Sequence, residues 1–218
     1  RRDTEREKDE LLRQKEVLLQ EMQHRVANSL QIIASILLLK ARTVQSEEIR
    51  LHLHDAHQRV MSVATVQQQL QASGLNESIE IGPYLSKLCD SLAKSMVGDR
   101  RPVSIKVQAT SGRATSSEAV SLGLIVTELV INALKHAFSS GETGEILVSY
   151  DARGPGWRLS VSDNGAGFGG DGAEDHTGLG TSIIGALAQQ LNAKVEKSAG
   201  PRGTTVSVTA PATSGWPG

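Results

Sequence analysis

The stretch Glu128–Phe138, which reads ELVINALKHAF, decides the fold of the C-terminal half of the chain. Apolar residues recur through it at helical spacing, and no proline interrupts the pattern back to Ser116. Glu128 and Asn132 are four residues apart, so a helix places both on one face. A polar pair of this kind is often only an exposed stripe and does not by itself establish a site. We predict a helix over Ser116–Phe138, whose start is signalled by Ser116, Ser117 and Glu118.

A glycine-containing turn follows a predicted strand in VSDNGAGF, at 161–168. The strand runs into Asp163, and Gly165 and Gly167 then allow the backbone to turn and to approach a ligand closely. Asn-Gly is also the commonest signal of a simple β-hairpin, so this turn alone is weak evidence for a binding site.

A second glycine-rich segment, TGLGTSII at 177–184, leads into a predicted helix. Gly178 and Gly180 flank Leu179 there. Such an entry presents free backbone N–H groups and the positive end of the helix dipole to a phosphate group. A hinge before a helix would have the same sequence, and a G-x-G pattern alone is weak evidence.

The other periodic segments of this half complete one mixed domain. Helices are predicted at Pro83–Met96 and Ile183–Leu191, and they alternate with strands without a regular βαβ rhythm. We therefore predict an α+β fold with helices on one face of a mixed sheet. The predicted strands are Val103–Ala109, Ile146–Tyr150, Trp157–Val161, Val195–Ser198 and Thr204–Thr209.

The N-terminal half has the pattern of a helical hairpin. One long helix is predicted, followed after a polar break near 43–46 by a second helix. An antiparallel hairpin with one wide apolar face cannot bury that face alone, so we predict a homodimer that forms a four-helix bundle. The heptad seam of the first helix consists of Leu12, Leu19, Met22, Val26, Ile33 and Ile36.

His24 lies on the long helix, within QHRVANSLQII at 23–33. With Leu12 at heptad position a, His24 falls at f and Asn28 at c, away from the seam. We therefore predict an exposed histidine rather than a core histidine. Further histidines on the second helix are predicted to form an exposed face without a metal, because no carboxylate or cysteine completes a ligand set. They are His52, His54 and His57.

Composition narrows the class of protein. A net charge of −1 and an aromatic content of 3% argue against a nucleic-acid partner. The single cysteine, Cys89, excludes an internal disulfide and is predicted to be a small buried hydrophobe in a reducing compartment. With no signal-peptide pattern and no apolar run long enough for a bilayer, we predict a cytoplasmic fragment without direct membrane contact. Anchoring of the full-length protein in a membrane through an upstream segment stays open.

The order and spacing of these segments resemble those of a known family. Glu128 with Asn132, then DNGAGF, GLG and the GTT at 203–205 resemble the nucleotide boxes of the GHKL (Bergerat fold) ATP-binding superfamily. Upstream, HRVANSLQII resembles the phosphoacceptor box of sensor histidine kinases. The chain is most similar to the HisKA_2-like branch, whose boxes read HRVKNNLQ and ELVTNALKHAF. The resemblance covers about residues 20–210 and implies a hairpin followed by a GHKL α/β sandwich.

The resemblance also implies roles in binding ATP with Mg²⁺. Asp163 is expected to accept a hydrogen bond from the adenine amino group, where guanine has a carbonyl instead. Asn132 is expected to coordinate Mg²⁺ through its side-chain oxygen, and 169–177 to form an ATP lid. The other residues implied to line the nucleotide site are Lys135, His136, Gly165, Gly167, Gly178, Leu179, Gly180, Thr204 and Thr205.

The implied reaction transfers the γ-phosphoryl group of ATP to a nitrogen of His24 and then to an aspartate of a response-regulator receiver domain. In many histidine kinases the residue after the phosphoacceptor is acidic and takes its proton, but here it is Arg25. Glu128 is one candidate base. Asn28, one turn after His24, is a candidate for orienting water in a phosphatase reaction on the partner.

The implied organisation has three parts. A coiled-coil signalling helix is expected over 1–18, a dimerisation and phosphotransfer hairpin over 19–73, and the ATP-binding domain over 79–212. A sensor domain is expected upstream, outside this chain.

Two other functions remain open alongside the kinase. A phosphotransfer or scaffold protein with an inactive ATP domain is disfavoured because all four nucleotide boxes look intact. A GHKL ATPase that drives a clamp is disfavoured because the chain has no room for the large additional domain that a clamp needs. The sequence also leaves open autophosphorylation in cis or in trans, a dimer or a monomer, and the base for His24.

Overall fold

The computed structural model describes residues 2–72, 78–97, 102–138, 142–166 and 179–211. Contacts between residues divide the chain into two units, 1–76 and 77–218. The first unit is a hairpin of two helices, α1 (Arg2–Thr43) and α2 (Glu47–Ala72). The break between the helices therefore lies within the predicted polar segment. Glu47 and Glu48 occupy the first turn of α2, where negative charge interacts favourably with the helix dipole.

The two helices of the hairpin pack through small side chains. Ala27, Ala34 and Ala41 recur every seven residues along α1, and each is at most 5% exposed. On α2, Ala64 and Val66 are buried as well. Small residues at this spacing let two helix backbones approach closely along one line.

The predicted heptad seam is a different line of residues on α1. Its six members are between 41% and 57% exposed in the single chain. The contact within the hairpin is made by the neighbouring alanine line instead, so α1 has an apolar stripe that its own hairpin does not cover.

The histidines of the hairpin have different environments. His24, His52 and His54 are exposed, as predicted. His57 is half-buried, and its Nδ1 lies 2.8 Å from the backbone oxygen of Ala34. The prediction that His57 belongs to an exposed face is therefore wrong, because its ring bridges the two helices.

The described part of the second unit contains three α-helices and a five-stranded sheet. The helices are α3 (Ile81–Leu92), α4 (Ser116–His136) and α5 (Leu179–Gln190), and a π-helical turn, Ala93–Val97, follows α3. A separate two-stranded sheet pairs β1 (Ile79–Glu80) with β3 (Arg113–Ala114). The main sheet has the order β2 (Val103–Ala109), β4 (Gly144–Asp151), β5 (Trp157–Asp163), β7 (Gly203–Ala210) and β6 (Lys194–Gly200).

The main sheet is mixed. Strand β2 is parallel to β4, whereas the pairs β4–β5, β5–β7 and β7–β6 are antiparallel. Burial alternates along β4 and β5, so that every second residue faces the helices. The predicted α+β fold with helices on one face of a mixed sheet is confirmed. The inward residues of these two strands are Ile146, Val148, Tyr150, Trp157, Leu159 and Val161.

Helix α3 has a buried face that includes Cys89. The thiol-bearing residue is 2% exposed, and burial raises the pKa of Cys89 to about 12. The prediction that Cys89 is a small buried hydrophobe is confirmed by this burial. A thiol with such a pKa also stays protonated, and therefore uncharged, near neutral pH. The helix begins at Ile81, two residues before the predicted start at Pro83, and ends at Leu92.

Helix α4 is the central helix of this unit. Among the described residues it is the one helix that is long and apolar enough to cross a membrane. The expectation that no apolar run reaches this length is therefore corrected. However, 67% of its most apolar window is buried inside the unit. Its apolar character is therefore explained by its place in the core.

The start of α4 is a capping box. Thr115 is the N-cap: its Oγ1 accepts the N–H of Glu118 at 3.3 Å, and its own N–H donates to Oε2 of Glu118 at 2.8 Å. The predicted start signal began at Ser116, one residue after the N-cap, and correctly included Glu118.

We expect Thr115→Ala to lower the free energy of unfolding by about 1 kcal/mol, because the N–H of Glu118 loses its acceptor at the helix start. Urea denaturation of this chain measures the loss. Ser116→Ala is the matched control, since Ser116 takes no part in the capping box, and it should change stability by less than about 0.5 kcal/mol. Equal losses in the two variants would contradict the assignment of the cap.

Candidate functional site

Asp163 is the last residue of β5, the central strand of the main sheet, and belongs to the turn for which the sequence predicts a nucleotide site. Its Oδ1 accepts the backbone N–H of Gly165 at 3.1 Å and that of Thr204 at 3.2 Å. Two donors on one oxygen hold the half-buried carboxylate in one orientation. The second oxygen, Oδ2, then provides acceptor capacity toward a ligand.

Gly203 opens β7 directly against Asp163. Its φ is +124°, and a Cβ atom there would lie 1.9 Å from the backbone oxygen of Asp163. No side chain fits at this distance, so the close pairing of β5 with β7 requires glycine. The sequence pattern included Gly203 only as the first residue of GTT. A glycine at a strand start after the Pro-Arg turn was the signal for this role.

Gly165 brings the turn against the end of α4. A Cβ atom at Gly165 would lie 2.1 Å from the backbone oxygen of Ala137, and the N–H of Ala166 donates to that oxygen at 2.9 Å. Gly165 was expected to let the backbone turn and approach a ligand closely. In the structure its missing side chain makes room for α4, and the backbone of the turn is thereby attached to the helix that bears Asn132.

Asn164 attaches the same turn to strand β4, a role that the sequence pattern did not predict. Its Oδ1 accepts the N–H of Glu145 at 2.7 Å, and its own N–H donates to the backbone oxygen of Glu145 at 3.2 Å. The turn after Asp163 is thus held by β4, β7 and the end of α4 together. The Asn-Gly pair was read only as a turn signal, which gave no indication of this partner.

The last turns of α4 carry the other predicted polar residues. Glu128 is buried, at 5% exposure, and Asn132 one turn later is half-buried. Lys135 and His136 are exposed and occupy the final turn. Because the contact of Gly165 with Ala137 joins this end of α4 to the Asp163 turn, the structure groups these side chains at one end of the unit.

Thr204 and Thr205 face in opposite directions. Thr204 donates its N–H to Asp163, whereas Thr205 Oγ1 lies 2.9 Å from Oγ of its strand partner Ser162. Successive residues of a strand point to opposite faces, so Ser162 and Thr205 share the face away from Asp163. The prediction that Thr204 and Thr205 both line the nucleotide site stays a prediction, and this geometry favours Thr204 over Thr205.

The glycine-rich entry to α5 is described only in part. Leu179 and Gly180 form the first residues of α5, so this helix begins four residues earlier than the predicted Ile183. Gly167, Gly178 and the predicted lid at 169–177 lie outside the described residues.

In the first unit, His24 and Asn28 are both exposed on α1, which excludes a core histidine. Arg25, the residue after His24, forms an ion pair with Glu21, one turn earlier on the helix: its Nη2 lies 2.5 Å from Oε1 of Glu21.

Two family models match the chain, one after the other along the sequence, and the first extends past the boundary between the two units. The model described as "Histidine kinase" (HisKA_2) matches 21–96, which includes His24. The model described as "Histidine kinase-, DNA gyrase B-, and HSP90-like ATPase" (HATPase_c) matches 117–214, which includes Asn132 and the Asp163 turn.

Curated relatives align with most of this chain. It is 29% identical over 199 residues to Blue-light-activated histidine kinase 2 of Erythrobacter litoralis, covering 88% of this chain and 56% of that protein. It is 29% identical over 197 residues to the sensor histidine kinase PdtaS of Mycobacterium tuberculosis, covering 89% of this chain and 38% of that protein. The chain thus spans only part of each relative.

Solved structures share the fold. The histidine kinase domain of the Erythrobacter litoralis EL346 blue-light activated histidine kinase superposes with a TM-score of 0.62 at 24% identity. The match covers 85% of this chain and 96% of that domain. The two family models, which match 21–96 and 117–214 in this order, place the chain in the histidine kinase family, as a sensor histidine kinase catalytic core of the HisKA_2 branch.

Proposed function

We propose that this chain transfers the γ-phosphoryl group of ATP to His24 and then passes it to an aspartate of a response-regulator receiver domain. The observation that carries the proposal is the orientation of Asp163, whose Oδ1 is held by two backbone N–H groups. A fixed carboxylate oxygen accepts a hydrogen bond from the adenine amino group and meets a carbonyl in guanine, so it favours ATP over GTP.

The residues around the turn suit a nucleotide triphosphate. The exposed Lys135 and His136 at the end of α4 offer positive charge and hydrogen-bond donors to phosphate oxygens. The half-buried Asn132 has an amide oxygen of the type that Mg²⁺ prefers, and a metal that already binds phosphate oxygens and waters needs few protein ligands. When bound, Mg²⁺ would neutralise charge on the transferred group.

His24 suits the role of acceptor. A neutral imidazole is a nucleophile near neutral pH, and the exposed position on α1 leaves it accessible to a separate domain and to a receiver. We retain the domain assignment of 19–73 for the hairpin and 79–212 for the ATP-binding unit, and a cytoplasmic location for both. Glu128 is one candidate for the base that accepts the proton of His24, but its side chain is buried in the second unit.

The homodimer is supported by the uncovered stripe on α1. The six seam residues are spaced to meet a second copy of the hairpin, and burial of a stripe this long would complete a four-helix bundle. Sedimentation of this chain tests the proposal: the mass of a dimer is expected, and a monomer at micromolar concentration would contradict it.

Incubation with ATP labelled at the γ-phosphate tests the kinase. Phosphohistidine is lost in acid and retained in base, so a label with that behaviour is expected. ATP binding without any label would favour a scaffold with an inactive ATP domain, and steady hydrolysis without label would favour an ATPase.

Asn28 is proposed to orient the water that attacks the phosphorylated receiver. It lies one turn after His24 on the same exposed side of α1. We expect Asn28→Ala to slow dephosphorylation of the receiver at least tenfold while autophosphorylation changes less than threefold. The measurement is the rate at which phosphorylated receiver decays in the presence of wild type or of Asn28→Ala. Equal rates with the two proteins would refute the role of Asn28.

A further inference from the structure

When His24 is phosphorylated, its ring must give up a proton, and the residue that follows it in the sequence cannot accept one. When one ring nitrogen forms a bond to phosphorus, the ring becomes cationic and its other N–H becomes acidic. The position after the histidine, which is acidic in many histidine kinases, is occupied by Arg25. Positions 21 and 25 are four residues apart and therefore lie on one face of α1. Glu21 places a carboxylate on that same face, one turn earlier.

Helix geometry brings Glu21 near His24. The two residues are three apart on α1, a spacing that makes them neighbours on the helix surface, with about 5–6 Å between Cβ atoms. Side chains on a helix lean toward its N-terminus, so the His24 ring leans toward the turn that bears Glu21.

Arg25 holds the carboxylate of Glu21 in place. Its Nη2 lies 2.5 Å from Oε1 of Glu21, and both side chains are mostly exposed, at 77% and 57%. Arg25 follows Glu21 along the helix, so the ion pair draws the carboxylate toward the level of His24. Because the ion pair uses Oε1, acceptor capacity remains on Oε2 for a ring N–H.

The neighbouring helix offers no competing charge at this level. His57 of α2 contacts Ala34 of α1, and in an antiparallel hairpin this pairing places Gln67 opposite His24. The stretch 64–70 of α2 reads ATVQQQL and contains no ionisable side chain. Within the described part of the hairpin, the charged groups that face His24 are therefore Glu21 and Arg25.

We propose that Glu21 is the proton acceptor for His24 during autophosphorylation and that Arg25 is the positioning residue that orients its carboxylate. The proposal rests on the proposed kinase function. The lone pair of one His24 nitrogen forms a bond to the γ-phosphorus as the bond from that phosphorus to the β–γ bridging oxygen breaks. ADP leaves with that electron pair. The N–H of the other ring nitrogen then gives its proton to Glu21, which passes it to water.

Single-turnover autophosphorylation of this chain at saturating ATP tests the proposal. At pH 7 we expect Glu21→Gln to lower the rate constant at least tenfold, with ATP affinity by equilibrium dialysis changed less than twofold. Glu16→Gln removes a carboxylate from the same helix, two turns from His24, and should leave the rate within twofold. Arg25→Gln should give an intermediate loss that Arg25→Lys largely restores.

The pH dependence separates proton transfer from a structural role. Hydroxide can replace a missing base, so the ratio of wild-type to Glu21→Gln rates should shrink between pH 7 and pH 9. A ratio that stays constant over that range, or a Glu21→Gln rate within twofold of wild type, would overturn the proposal while the label on His24 still supports the kinase. Absence of any acid-labile label on the wild-type chain would instead overturn the proposed function.

Discussion

Replacing His24 by glutamine is expected to abolish the acid-labile label from ATP completely. Glutamine has a similar size and fits an exposed helix position, but its amide nitrogen has no lone pair available to attack phosphorus. Because His24 is exposed on α1, the substitution leaves no buried group unsatisfied, and the hairpin should keep its stability. The measurement is incorporation of labelled phosphate, followed by acid and base treatment.

Two controls make the loss specific. ATP binding by the His24→Gln variant should match the wild type, since the residues of the proposed nucleotide site all belong to the second unit. His52→Gln is the matched substitution, because His52 is also an exposed histidine in the same hairpin, with a side chain 75% accessible. It should retain the full label. Label that persists in His24→Gln would show that another residue is the phosphoacceptor.

Gly203→Ala is expected to weaken ATP binding more than tenfold and to destabilise the second unit. A Cβ atom would lie 1.9 Å from the backbone oxygen of Asp163, and the φ of +124° is strained for any other residue, at about 1–3 kcal/mol. The chain must shift β7 away from β5, which removes the Thr204 N–H from Asp163 and releases the carboxylate.

Gly200→Ala is the control in the same hairpin. Gly200 pairs with Gly203 in the ladder of β6 and β7, but a Cβ atom there meets nothing within 4 Å. Binding isotherms for ATP and thermal melting should therefore be close to wild type for Gly200→Ala and altered for Gly203→Ala. Equal behaviour of the two variants would contradict the role of Gly203 in holding Asp163.

Local patterns were sufficient for most of the fold. The seven-residue repeat predicted the long helix α1, and alternation predicted β2 at Val103–Ala109, the range that the structure shows. Element ends were less predictable, because they depend on caps and partners. The helix predicted at Pro83–Met96 ends at Leu92 and continues as a π-helical turn, and a two-residue pair of strands, β1 with β3, has no periodicity to detect.

The sequence predicted which short motifs contribute to the candidate site, but not which contacts their residues make. Asp163 and Gly165 were identified because glycine after a strand is a local signal. The reason that Gly165 must be glycine is the carbonyl of Ala137, which belongs to a different element. Likewise, the partner of Asn164 is the backbone of Glu145, nineteen residues earlier, and sequence spacing alone does not indicate which strand will be adjacent.

By itself, the sequence determined that this chain has a heptad helix with an outward His24, followed by an α+β unit with an ordered set of nucleotide boxes. Both conclusions follow from short-range periodicity and from the backbone freedom of glycine. Only the tertiary structure decided that Gly203 holds Asp163, that Thr205 faces away from it and that His57 bridges the hairpin. These depend on contacts between segments far apart in the chain, such as Asp163 and Thr204 at a separation of 41 residues, and strand register determines which side chain meets which.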